Sequence, residues 1–271
     1  MQVSILTWFG QAGFTIESST TRIAIDLFLT ETEGAKAPVT NLKDLGMINA
    51  IGVTHEHIDH FDEPLLAEIA HRHGDLQVIV PPPLVDRAEA LGFNRSRIIE
   101  ARVHEPIHIG DLTLIPIPSC HGVTMADAYH WGSPPGRFVG YVVKSEDLVV
   151  YHSGDTIMWS DIDVELSGYG VDVALLPING RDAFREAMGI VGNLTAAEAV
   201  EVAHRIGARV LVPMHFDGFA KNPGSPETVI SYARQFHPDM SVVVMGYLNP
   251  LNLSITKTQE GYDDGKFVNK T

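Results

Sequence analysis

Apolar and polar positions alternate in short runs through the first half of the chain. Val3 to Phe9, Phe14 to Glu17 and Arg22 to Asp26 predict strands, with Gly10 and Gly13 punctuating the first connection. Residues 30–46 read as a polar loop. Ile48 to Thr54 is mostly apolar and predicts a strand buried on both faces. Asp62 then suits an N-cap, Pro64 fits a first turn, and Leu65, Leu66, Ile69 and Ala70 share one helical face. Gln77 to Val80 predicts a strand stopped by three prolines, and Leu84 to Leu91 a helix ending at Gly92. Two hairpins follow: Val103 to Ile109 with Leu112 to Ile117, turning at Gly110-Asp111, and Phe138 to Lys144 with Leu148 to His152.

The second half alternates strand and helix. Val171 to Ile178, Arg209 to Pro213 and Ser241 to Met245 predict strands. Thr195 caps a predicted helix to Ile206, with Glu198 at the capping-box position, and Pro226 to Phe236 predicts another helix. No close repeat or low-complexity linker divides the 271 residues, so one domain is expected over 1–271, with 261–271 a loose or oligomer-contacting tail. Two sheets packed face to face with helices outside satisfy the pattern.

Composition narrows the function. With 19 Lys plus Arg against 34 Asp plus Glu, the formal charge is -15. Such a surface repels long nucleic acids and anionic lipid, so neither a nucleic acid nor a membrane is an expected partner. The single cysteine, Cys120, forbids an internal disulfide. No basic-then-apolar leader and no membrane-length apolar run is visible, which together predict a cytoplasmic protein.

The chemistry concentrates in His55-x-His57-x-Asp59-His60. Alternate residues of an extended segment share a side, so His55 and His57 can reach one ion, with Asp59 and His60 reaching a second. Imidazole and carboxylate suit Zn²⁺, Mn²⁺ or Fe²⁺. These four residues cannot complete two sites, so distant partners are needed. His121, Asp155 and His215 each follow a predicted strand, as the cluster does. Strand ends are where open α/β sheets build active sites.

On these residues, with the Gly10–Phe14 hairpin and Asp26, the chain resembles the metallo-β-lactamase superfamily. The resemblance implies an α/β fold, the four-layer αβ/βα sandwich. It also implies one ion on His55, His57 and His121, a second on Asp59, His60 and His215, and Asp155 bridging them. Gln11 stands where many members carry histidine. Within the superfamily, residues 178–182, 190–193 and 213–217 look like those of bacterial L-ascorbate-6-phosphate lactonases, which are manganese-dependent, cytoplasmic and oligomeric. That likeness implies a homo-oligomer acting on a small anionic substrate.

The expected activity is hydrolysis of a lactone or ester of a small anionic sugar derivative, because two ions about 3.5–4 Å apart generate hydroxide from a shared water at neutral pH. Asp59 is the candidate for orienting that nucleophile and passing on a proton. Arg181, with Asn179, is the candidate receptor for the anionic group; the alternative is a turn closed by an internal ion pair. Asp26 and His152 are placed behind the ligands as supporting residues. Residues 122–137 form either a wall or lid over the site or an ordinary surface loop. The competing activities are cleavage of a small phosphodiester, non-catalytic metal binding and, ranked last, β-lactam hydrolysis.

Overall fold

The computed structural model describes residues 4–36, 45–73 and 75–253; the tail expected at 261–271 and part of the polar loop at 30–46 lie outside them. Two seven-stranded sheets make up the centre. The first contains β1 (Ser4–Trp8), β2 (Phe14–Glu17), β3 (Arg22–Ile25), β4 (Ala50–Gly52), β5 (Gln77–Val80) and β6 (Ile98–Glu100) in sequence order. The second runs in the same way through β7 (Ile107–Ile109), β8 (Leu112–Pro118), β9 (Val139–Lys144), β10 (Val149–His152), β11 (Val173–Pro177), β12 (Val210–Met214) and β13 (Ser241–Val242). The chain returns through β14 (Leu251–Leu253) to the free edge of β1. Each sheet begins antiparallel and becomes parallel, at β3–β4 in the first and β10–β11 in the second. The two halves are thus built alike.

Alternating residues of both sheets meet in a shared core that includes Phe14, Ile25, Leu114, Tyr141, Val150 and Leu175. The outer face of the first sheet is covered by α1 (Glu63–Arg72) and α2 (Val85–Ala90). That of the second is covered by α3 (Ile162–Ser167), α5 (Ala196–Arg205) and α6 (Pro226–Phe236). The result is the expected four-layer αβ/βα sandwich. Helix α1 buries Leu65, Leu66, Ile69 and Ala70, and Asp62 caps it by accepting from the Leu65 amide. Helix α5 carries the full capping box, with Thr195 accepting from the Glu198 amide and Glu198 from the Thr195 amide.

The differences lie in short elements. Strand β7 begins at Ile107 instead of Val103, because Pro106 lacks a donor and His104 adopts a left-handed φ of 66°. Strand β4 is confined to Ala50–Gly52 and β13 to Ser241–Val242. Elements β6, β14, α3 and α4 (Ala183–Ala187) carry no sequence signal: the strands span three residues each, and α4 buries none. No helix among the described residues is long and apolar enough to cross a membrane.

Candidate metal centre

Every parallel strand register ends on the same rim, and the polar residues collect there. His55 lies just past β4, His121 past β8, Asp155 past β10 and His215 past β12, with Asp26 directly after β3. Three of the rim residues that are not glycine, Gln11, Asp26 and His215, have left-handed φ angles of 49°, 49° and 56°. Such conformations are uncommon and persist where surrounding contacts enforce them. Gly154 is needed in the Asp155 loop: at φ +60°, a Cβ there would meet the Val139 carbonyl oxygen at 2.8 Å and Thr54 Cβ at 2.9 Å.

The ligand atoms form two groups, His55, His57, His121 and Asp155 in one and Asp59, His60 and His215 in the other. Within each group the atoms lie within 4.8 Å of one another. Asp155 stands between them: its Oδ2 is 3.6 Å from His121 Nε2 and 3.3 Å from His215 Nε2, and its Oδ1 is 3.3 Å from His60 Nε2. His55 Nε2 lies 2.9 Å, and His121 Nε2 3.3 Å, from His57 Nδ1.

A metal ion fits this donor set, and the hydrogen bonds behind it say why. His60 Nδ1 donates to Asp26 Oδ2 at 2.6 Å. His55 Nδ1 donates to Thr54 Oγ1 at 3.0 Å, which in turn donates to Asp26 Oδ2 at 2.6 Å. His57 Nε2 donates to the Val123 carbonyl at 3.2 Å. Each of these rings spends its proton outward and turns its lone pair inward. His60 Nε2 and Asp155 Oδ1, both buried, are left without a hydrogen-bond partner. Unpaired buried polar atoms are costly, and an ion answers that cost.

Electrostatics agrees. Burial, reinforced by the neighbouring imidazoles, holds His55 well below the usual histidine range. Burial takes His121 down to about 3 against the pull of Asp155. For His60 and His215 burial also opposes the charged form, but the carboxylates outweigh it, and Asp155 with Asp59 raises His215 to about 10. Asp59 and Asp155 stay ionised: His60 and His215 override the burial that would protonate them. The carboxylates thus favour protons on His60 and His215, which a divalent ion bound there would displace.

The supporting residues divide. Asp26 is fully buried and orients His60 directly and His55 through Thr54. His152 makes no hydrogen bond to a candidate ligand side chain among the described residues; its Nε2 donates to the Ala12 carbonyl at 2.8 Å and its Nδ1 accepts from the Gly154 amide at 3.1 Å, which fixes the loop carrying Asp155. Gln11 holds the rim together. Its Nε2 donates to Asp59 Oδ2 at 2.7 Å and lies 3.0 Å from His215 Nε2, while its Oε1 accepts from the Gly218 amide at 3.1 Å.

Arg181 requires a correction. Its guanidinium forks onto Glu198 at 2.7 and 2.6 Å and also donates to the Asn193 carbonyl. It is committed to an internal ion pair and does not line the cavity beside the centre. The partner is Glu198, 17 residues on, and not the adjacent Asp182, which pairs with Arg185. Asn179 is buried and donates to Asn222 Oδ1, so it too stands behind the cavity wall. The residues that do line the cavity include Val123, Ile190, Val191, Phe219, Lys221 and Asn222. Of these only Val123 comes from the 122–137 segment, which is tied down at its far end by Arg137 on Glu56 and Asp127.

A family model described as "Beta-lactamase superfamily domain" matches residues 21–216. A UPF0173 metal-dependent hydrolase of Caldivirga maquilingensis is 32% identical over 251 residues, which cover 92% of this chain and 98% of the relative. A second, from Pyrococcus horikoshii, is 32% identical over 228 residues, 81% and 88% of the two chains. Among solved structures, the metallo hydrolase Igni18 of Ignicoccus hospitalis matches with a TM-score of 0.74 at 23% identity, covering 94% of this chain and all (100%) of that one. An isothiocyanate hydrolase from Delia radicum gut bacteria matches at 0.73 and 17% identity, covering 93% and 100%. At such identities the structural likeness speaks for the fold alone.

Proposed function

The chain belongs to this β-lactamase superfamily of metal-dependent hydrolases, and from that premise we propose that it opens the carboxylic ester or lactone bond of a small molecule, using two divalent ions. The observation that carries the reading is the pair of ligand groups joined at Asp155, beside a cavity of about 580 Å³. That volume suits a small ligand. His55, His57 and His121 would hold one ion, Asp59, His60 and His215 the other, and Asp155 both. Mn²⁺ and Zn²⁺ are the proposed ions, and Fe²⁺ suits the same donors. Bound there, the ions would acidify a water and polarise the carbonyl oxygen.

The protein's own part follows from its wiring. Asp59 lines the cavity, and Gln11 Nε2 donates to its Oδ2. Its Oδ1, which accepts no hydrogen bond from any described residue, is proposed to orient the attacking water and take its proton. The water oxygen bonds to the carbonyl carbon, the C–O bond to the alcohol side breaks, and the departing oxygen receives the proton.

The test joins metal analysis of the purified protein with an activity panel of lactones, esters and phosphodiesters in Mn²⁺ and in Zn²⁺. Lactone or ester turnover at least about tenfold above phosphodiester turnover supports the proposal. The reverse order replaces it with a phosphodiesterase. No turnover with metal bound leaves a metal-binding protein without catalysis.

A further inference from the structure

We propose that Lys221 and Asn222 anchor one anionic end of a substrate whose body is otherwise apolar. The claim rests on the hydrolase reading for which bond is cut, but not for what binds.

His57, Asp59, Asp155 and His215 face the same cavity as these two residues. Apart from Glu33 and two glycines, the rest of its wall is the apolar side chains of Val123, Ile190, Val191, Phe219 and Ala220. These apolar side chains offer a polyhydroxylated sugar no hydrogen bonds, so a hydroxyl packed against them would shed water without replacement. A hydrocarbon body gains from the same surface.

Asn222 is built for one orientation. Its Oδ1 accepts from Asn179 Nδ2 at 3.1 Å and from Arg185 at 3.0 Å. Both lone pairs of that oxygen are occupied. Asn179 is itself pinned by Asn193 at 3.1 Å, and Arg185 by Asp182 at 2.6 Å. The amide therefore cannot turn over without losing two donors, and its Nδ2 hydrogens have no acceptor among the described residues. Next in sequence, Lys221 is exposed and has no ion-pair partner among the described residues. A fixed N–H donor beside a free ammonium is a receptor for an oxyanion. Glu33, which lines the cavity without a cationic partner among the described residues, opposes a second negative charge. One charged end is thus favoured over a sugar phosphate. Asn179 acts here as a positioning residue, through Asn222.

The test uses calorimetric titration of the metal-loaded protein with straight-chain dicarboxylates from succinate to suberate, each paired with the monocarboxylate of equal length. Both members can place one carboxylate at the metal centre, so their difference isolates the second contact. In the unmodified protein one chain length should bind about tenfold to a hundredfold more tightly than its monocarboxylate, the range of a charge-assisted hydrogen bond. Asn222→Asp keeps the Oδ1 acceptor for Asn179 and Arg185 but removes the donor, and Lys221→Met removes the charge. Each should abolish the gain, and Lys221→Met should leave monocarboxylate binding unchanged. The proposal is overturned if no dicarboxylate gains over its partner, or if the gain survives both substitutions. These outcomes stand apart from the hydrolase test, because binding is read without turnover.

Discussion

Replacing Asp26 with asparagine should leave the chain folded yet disable the ion site of His60. One proton decides it. His60 Nδ1 donates to Asp26 Oδ2 at 2.6 Å, so with a metal bound the lone pair would sit on Nε2, on the side of Asp155 Oδ1 at 3.3 Å and Asp59 Oδ2 at 3.7 Å. An amide at position 26 keeps an oxygen for the Thr54 amide, now 2.8 Å from Oδ1, and presents N–H to His60. His60 then accepts at Nδ1 and carries its proton at Nε2, where an ion must bind. Loss of such an orienting carboxylate typically weakens metal binding about tenfold to a hundredfold, or about 1.4–2.8 kcal/mol.

Asp26 is fully buried, and the exchange also turns its charge-assisted contacts with Thr54 Oγ1 and His60 into neutral ones. That costs about 2–3 kcal/mol of stability, less than the about 5–15 kcal/mol of an ordinary domain. Competition against a chromogenic chelator reads the two affinities, and circular dichroism confirms the fold. His55 is reached only through Thr54, so its ion should be held nearly as before. Unchanged affinity for both ions, or equal loss of both in a folded protein, would refute the tautomer reasoning.

Arg181→Ala should lower stability by about 1–2 kcal/mol, the scale of a half-buried charged hydrogen-bonded pair, without raising KM; thermal denaturation and steady-state kinetics check both. Stripping metal with a chelator should lower Tm by about 5–10 °C if the ion is present at about a hundredfold above its dissociation constant, as a calorimetric scan would show. At the other end of the sandwich, hydroxyls of Ser18 and Thr21 hold the Asp111 carboxyl below the usual carboxylate range. A depressed carboxylate stabilises the fold above its unfolded pKa of about 3.9 and loses that contribution as pH falls through the folded value. Asp111→Asn should therefore flatten the acid limb of a denaturation series below about pH 4.

The clustered donors are legible in the sequence because they share two local signs. His55 to His60 is dense in donors, and His121, Asp155 and His215 each follow an apolar run that ends abruptly. Asp26 carries the second sign too. Both signs report where a strand stops, and a sheet's strand ends meet whatever the distance along the chain. The short elements β6, β14, α3 and α4 have too few residues to show a period. Arg181 misleads for a different reason. Glu198 reads as a capping residue, and it is one, but its carboxylate also reaches a guanidinium that the loop before α5 folds back onto it. Nothing along the chain marks a side chain that serves two partners.

Lys221 and Asn222 are silent on both counts, since they sit in a loop without period or cluster. Their significance lies in what Asn179 and Arg185, 43 and 37 residues away, do to one amide oxygen. A metal centre needs several donors of one chemical kind, which leaves a mark in sequence. A substrate pocket needs a few dissimilar groups aimed correctly, and aim is a property of the folded contacts. The hydrolase chemistry can therefore be read from residues, whereas the molecule it acts on has to be read from hydrogen bonds.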